Sequence, residues 1–264
     1  MSPANPSPST IARESGLIGA LWTRDMLRLK KERSRWLGVV AQPLMFWFFI
    51  GSGMVDKMAF DGTDGDYLTY FFPGIIVMTI LFTTIFATMS VIEDRQSGFL
   101  QGILIGPSSR PSMVLGKLSG VTTLALLQCV LLVAFAPVAG YALGEIAWVP
   151  FFGLVFMTSM ALGALNFASA WILNSTQAYH GFMSVLLLPL WILSGAMYPH
   201  PGSGWLEWVM TFNPMAYAVD GIRLALSGGG LPLEHASDLT GAAFALSAFF
   251  GLFFIWTLRV TRRL

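Results

Sequence analysis

What this chain has little of sets its limits. It contains one cysteine, Cys129, within an apolar run, so neither a disulfide framework nor a thiolate metal site can be built. Its three histidines, His180, His200 and His235, are scattered, without the spacing to another histidine, cysteine or carboxylate that a metal site requires. They read as ordinary interfacial or loop histidines. Charged residues make up 11% of the chain, where a soluble domain carries about 25%. The net charge of +1 offers no basis for binding nucleic acid. A phosphate-cradling loop is missing too: Gly116-Lys117 is followed by Leu118, and Pro111 stands where the loop's first glycine belongs.

What is present is apolar surface. Hydrophobic residues are 55% of the chain and mean hydropathy is +0.67, more than a water-soluble fold can hide. The expected class is an all-α polytopic membrane protein. Residues 1–10, rich in Ser and Pro, read as a disordered N-terminus. Residues 11–35 read as an amphipathic interface helix: Ile18, Leu21, Trp22 and Leu29 fall at helical spacing, opposite Arg24, Arg28, Lys31 and Arg35. Those four cations are expected to face anionic headgroups and solvent.

Residues 36–264 read as six spans of roughly 20 residues each. They are placed at Trp36–Val55, Tyr70–Ile92, Ser112–Gly140, Trp148–Leu173, Gly181–Met197 and Thr240–Leu258. Lys and Arg number seven in the N-terminal segment, three in the loop after the second span and three in the tail, leaving only Lys57 and Arg223 for the other side. That skew of thirteen to two places both termini in the cytoplasm. No carboxylate, Lys or Arg falls near the middle of a predicted span, which disfavours ion-coupled transport and points to energy supplied from outside the membrane. Gln42, Thr79, Thr83, Thr84, Gln128, Asn166 and Ser169 are the polar residues inside spans, suited either to bonding between helices or to lining a path.

Two stretches stand apart. Between the second and third spans, Phe99 and Ile103, like Leu100 and Leu104, are four apart on a short amphipathic helix. Gly106-Pro107 ends that helix, and Ser108 or Ser109 caps the next, with Pro111 in its first turn. Such a stripe fits either a docking surface or a helix lying among headgroups. Before the last span, Asn213-Pro214 starts a helix carrying Asp220 and Arg223 three apart on one face. Two short re-entrant helices fit this region, as does a surface helix with an exposed ion pair.

The stretch EDRQSGFLQGILIGPSSRPSMVLGK resembles the segment between the second and third spans of ABC-2 type transporter permeases, the multidrug and daunorubicin-resistance exporters among them. That family pattern is acidic-Arg-x-x-Gly-hydrophobic, then a Pro-Ser-Arg turn and a Gly-Lys; Gln101 and Gly102 stand here where the family commonly has acidic residues. The string LSGAMYP…WLEWVMTFNPMAYAVDGIRLAL is similar to the family's closing region. The resemblance implies the six-span ABC-2 exporter (type V) fold. It implies that Glu93, Asp94, Arg95, Ser97, Gly98, Phe99, Leu100, Ile103, Leu104, Pro107 and Arg110 belong to a coupling helix and its flanks, seated in a partner ATPase. It implies that Asn213, Pro214, Asp220 and Arg223 belong to re-entrant helices.

The function so implied is the permease subunit of an exporter in a bacterial inner membrane, moving an amphipathic drug-like or lipid-like substrate. Expected partners are two ATPase chains, which carry the ATP and magnesium, a second permease that is identical or related, and membrane lipid. No cofactor, catalytic residue or metal is expected in this chain. A polysaccharide or lipid-linked glycan exporter is the alternative cargo reading, and a membrane scaffold or enzyme working without ATP the alternative class.

Overall fold

The computed structural model of the chain describes residues 8–31, 33–54, 67–105, 109–198, 204–228 and 233–262, and every regular element among them is helical. In order these are α1 (Pro8–Lys31), α2 (Arg33–Met54), α3 (Tyr67–Gln96), α4 (Phe99–Ile105), α5 (Arg110–Val133) and α6 (Trp148–Leu173). They continue with α7 (Thr176–Ala196), α8 (Trp205–Thr211), α9 (Pro214–Leu226) and α10 (Leu233–Arg262). Five described segments are long and apolar enough to cross a membrane: α3, α5, α6, α7 and Leu239–Arg262 of α10. The first predicted span falls on α2, which is not among those five.

Helix ends follow local chemistry. α6 has the predicted bounds, and Asn174 closes it in the left-handed conformation with φ 45°. α5 stops at Val133 instead of reaching Gly140. Pro137 accounts for this, because its ring collides with the carbonyl four residues back and it has no N–H to continue the ladder. The Ser109 hydroxyl accepts from the Ser112 N–H at the start of α5, as expected for a cap; Gly106, Pro107 and Ser108 lie outside the described residues. Gly98, at φ +78°, turns the chain out of α3 and into α4.

α3 is the axle. It packs on α2, α5, α6, α9 and the end of α7, and its most apolar stretch is 83% buried. α1 lies along α5, and α10 lies along α6 and α9. Two apolar clusters result. The larger joins Trp47, Phe72, Ile76, Leu132, Phe151, Trp191 and Ile222 across the bundle. The smaller gathers Leu21, Val91, Leu100, Met113, Leu118, Phe167 and Trp171 at the end where α4 sits.

Candidate functional site

At the α4 end, four consecutive residues of α3 reach four neighbours. Asp94, 3% exposed, takes a two-pronged pair of hydrogen bonds from Arg24 of α1 at 2.8 and 2.5 Å. Lys117 of α5, 2% exposed, donates to the same carboxylate at 2.7 Å and to Asp25 of α1 at 3.1 Å. Glu93 pairs with Arg28. Arg95 donates to the Trp171 carbonyl at 2.5 Å and lies over the Trp171 ring, and Gln96 donates to the Asn174 carbonyl at 3.1 Å. Burying a lysine is costly unless its charge is matched, and the two carboxylates supply that match.

Arg24 and Arg28 therefore do not face headgroups and solvent as their helical face suggested; they are turned onto α3. The reason is geometric, since a guanidinium gains more from a two-pronged carboxylate than from water. Lys31 is exposed, and the side chain of Arg35 lies outside the described residues. Asp25, Lys117 and Gln96 were missed as site residues. The Gly116-Lys117 motif was visible, but a burial partner 92 residues away in sequence leaves no local signal.

The apolar stripe of α4 faces the bundle. Leu100 is fully buried, and Ile103 and Leu104 pack against the smaller cluster. Phe99 is 39% exposed with the Arg24 guanidinium 3.9 Å from its ring centre, and Ile105 is 88% exposed. Ser97 donates to the Asp94 carbonyl at 3.2 Å; Arg110 opens α5 with one guanidinium nitrogen buried and unbonded; Pro107 lies outside the described residues. Glu14 of α1 accepts from the Ser109 backbone at 3.0 Å and from its hydroxyl at 2.8 Å. Hydrogen bonding from Ser112 first, and then Ser109, holds the Glu14 carboxyl below its ordinary range.

At the opposite end, α7 is irregular. Met183–Leu187 and Ile192–Ala196 are π turns on either side of Pro189, and Gly195 sits at φ 75°. α9 holds the carbonyls this loosens. Asn213 donates to Leu190 at 2.6 Å and Leu193 at 3.2 Å while capping Met215 N–H at 3.0 Å, with Pro214 as the first helical residue. Arg223 pairs with Asp220 at 3.0 Å, donates to the Gly195 carbonyl at 3.0 Å and lies over the Tyr70 ring. The Tyr70 hydroxyl donates to the same carbonyl at 2.9 Å. Gly74 of α3 lets this region close in: a Cβ there would come within 2.6 Å of the Ala196 Cβ. α9 is largely buried, whereas Trp205, Trp208 and Phe212 on and beside α8 are about 70% exposed.

Between the two ends, the hydroxyls of α3 join helices. Thr83 meets the Gln128 amide of α5, Asn166 of α6 donates to Thr84 at 3.0 Å, and Thr88 bonds the Tyr179 hydroxyl of α7 at 2.7 Å. Thr79, Thr83, Thr84, Gln128, Asn166 and Ser169 are all buried, which fits bonding between helices; Gln42 is exposed.

Comparison with known proteins agrees with this architecture. The family model described as ABC-2 type transporter matches residues 16–226. The chain is 26% identical over 263 residues to Nodulation protein J of Neorhizobium galegae, covering 97% of each chain. It is 25% identical over 234 residues to the putative transport permease ycf38 of Cyanophora paradoxa, covering 87% of this chain and 78% of that one. It is 24% identical over 237 residues to the daunorubicin resistance ABC transporter permease protein DrrB1 of Streptomyces coeruleorubidus, covering 85% and 80%. A match over most of the chain and several helices fit to cross a bilayer lead to one conclusion: this protein belongs to the ABC-2 type transporter family, as a multi-pass membrane subunit of an ABC transporter, the kind of permease that works with ABC ATPase subunits.

Proposed function

We propose that the chain is the six-span permease of an exporter in a bacterial inner membrane, driven by ATP hydrolysed on two separate ATPase chains. Its cargo is amphipathic, drug-like or lipid-like, and it acts beside a second permease copy. α2 supplies the sixth span, both termini are cytoplasmic, and α4 is the coupling helix. The observation that carries this reading is the fastening of α4. Leu100, Ile103 and Leu104 root it in the bundle, and Glu93 to Gln96 immediately before it connect α3 to α1, α5, α6 and the α6–α7 junction. A push on α4 is thereby delivered to several spans together. At the far end, α9 grips the irregular end of α7, which gives that motion something to release. α8 and α9 are the re-entrant pair.

The partner-facing part of α4 is then Phe99 and Ile105, with Leu100 serving to seat it. A buried apolar side chain is worth roughly 1.5–3 kcal/mol, and about 1.4 kcal/mol is tenfold in affinity. Phe99→Ala with Ile105→Ser lowers the ATPase recovered per permease in nanodiscs by about tenfold or more, while the amount of folded permease stays near normal. Full recovery with full transport would remove the coupling assignment.

A further inference from the structure

The chain has three side-chain amides at mid-helix in its long apolar elements: Gln42, Gln128 and Asn166. Gln128 and Asn166 are fully buried and meet Thr83 and Thr84. Gln42 is exposed and meets no partner among the described residues. It is the tenth of the 22 residues of α2, so in the six-span reading it lies about 13 Å from the start of the helix, within the hydrocarbon. An amide there has no water to bond and is costly to leave facing lipid.

The face around Gln42 is otherwise suited to close approach. Gly38, Gln42, Met45, Phe49 and Gly53 recur at intervals of four, three, four and four, and all are exposed. A Cβ at Gly38 or Gly53 would meet nothing, so the stripe has an open place near each end. The opposite face of α2 is already committed, through Pro43, Trp47 and Gly51, to this chain's own bundle. Elsewhere, outward polar groups in long helices have local partners: Ser184 donates to the His180 carbonyl and Ser247 to the Ala243 carbonyl. A two-fold axis beside α2 would bring Gln42 to its own copy, and a glutamine amide carries both a donor and an acceptor.

We propose that this face of α2 is the contact with a second copy of the same chain, closed by an amide–amide pair between the two Gln42 side chains. The proposal rests on the two-permease reading above and names the surface that reading requires. Cys129→Ala provides the cysteine-free background, since Cys129 is the sole native thiol and is buried. Gln42→Cys and Met45→Cys are placed in it and treated with a short bifunctional maleimide in native membranes. Leu252→Cys, on the exposed apolar face of α10, is the control.

The expected result is a band at twice the chain's mass from positions 42 and 45 and little from 252. In the otherwise native chain, Gln42→Leu lowers the dimer fraction in nanodiscs, by about tenfold in the association constant if both hydrogen bonds are lost. A particle that is dimeric by native mass but does not crosslink at 42 or 45 would overturn this surface and leave the two-permease reading standing. So would a crosslink to a chain of different mass, or protection of position 42 by cargo without any crosslink. A particle with a single permease would overturn both.

Discussion

Lys117 has almost no surface of its own, so its behaviour depends on the two carboxylates that meet it. Removing one member of a buried charged group strands the rest, at about 3–5 kcal/mol. Asp94→Asn is therefore expected to lower the unfolding midpoint in detergent strongly, and Lys117→Met added to it should recover part of the loss, because the stranded cation goes too. Arg223 behaves differently. Its ion pair with Asp220 is partly exposed and contributes about 0–1 kcal/mol, while its other contacts are the Gly195 carbonyl and the Tyr70 ring. Arg223→Ala should reduce folded yield and transport more than Asp220→Ala, and the double variant should resemble Arg223→Ala without recovery. The sequence displayed Arg24 and Arg28 on one helical face, and Asp220 three residues from Arg223. It could not display Asp94 as the partner of Arg24, because 70 residues separate them and only packing brings α1 onto α3.

At the scale of the helix, α4 shows where periodicity stops being informative. Its spacing reveals an apolar stripe, but the same stripe serves a helix rooted in its own bundle and one inserted in a partner. The structure turns Leu100 inward, so Leu100→Ala should behave as a cavity mutant, costing about 2–5 kcal/mol of stability and lowering folded yield, unlike substitution at Ile105. α6 was readable to the residue because an uninterrupted apolar run ends at Asn174; α5 was not, because Pro137 cuts a run that composition alone would extend. α1 is held to the start of α5 partly by Glu14, whose folded carboxyl is depressed. A depressed carboxyl stabilises the fold above its ordinary value and loses that contribution as pH falls through the folded value. The difference in unfolding midpoint between wild type and Glu14→Gln should thus be present at neutral pH and close as pH drops below 4.5.

For the molecule as a whole, orientation is the quantity that charge counting addresses and coordinates alone do not. With both termini inside, a cysteine at Thr63 reacts with an impermeant thiol reagent in intact cells and one at Ser108 does not; labelling at 108 alone would reverse the topology. The two sets of polar contacts on α3 carry one more consequence. Thr83 to Thr88 face α5, α6 and α7, and Glu93 to Gln96 face α1, α5, α6 and the α6–α7 junction, all on one continuous helix. One residue inserted between the sets would turn them about 100° out of phase, so both could not be satisfied. α7 is the reverse case: each π turn already holds an extra residue, and deleting one there restores α winding without rotating what lies beyond. The protein thus pairs a span whose length is fixed with one whose length can drift by a residue, and insertions and deletions among its descendants should collect in the second.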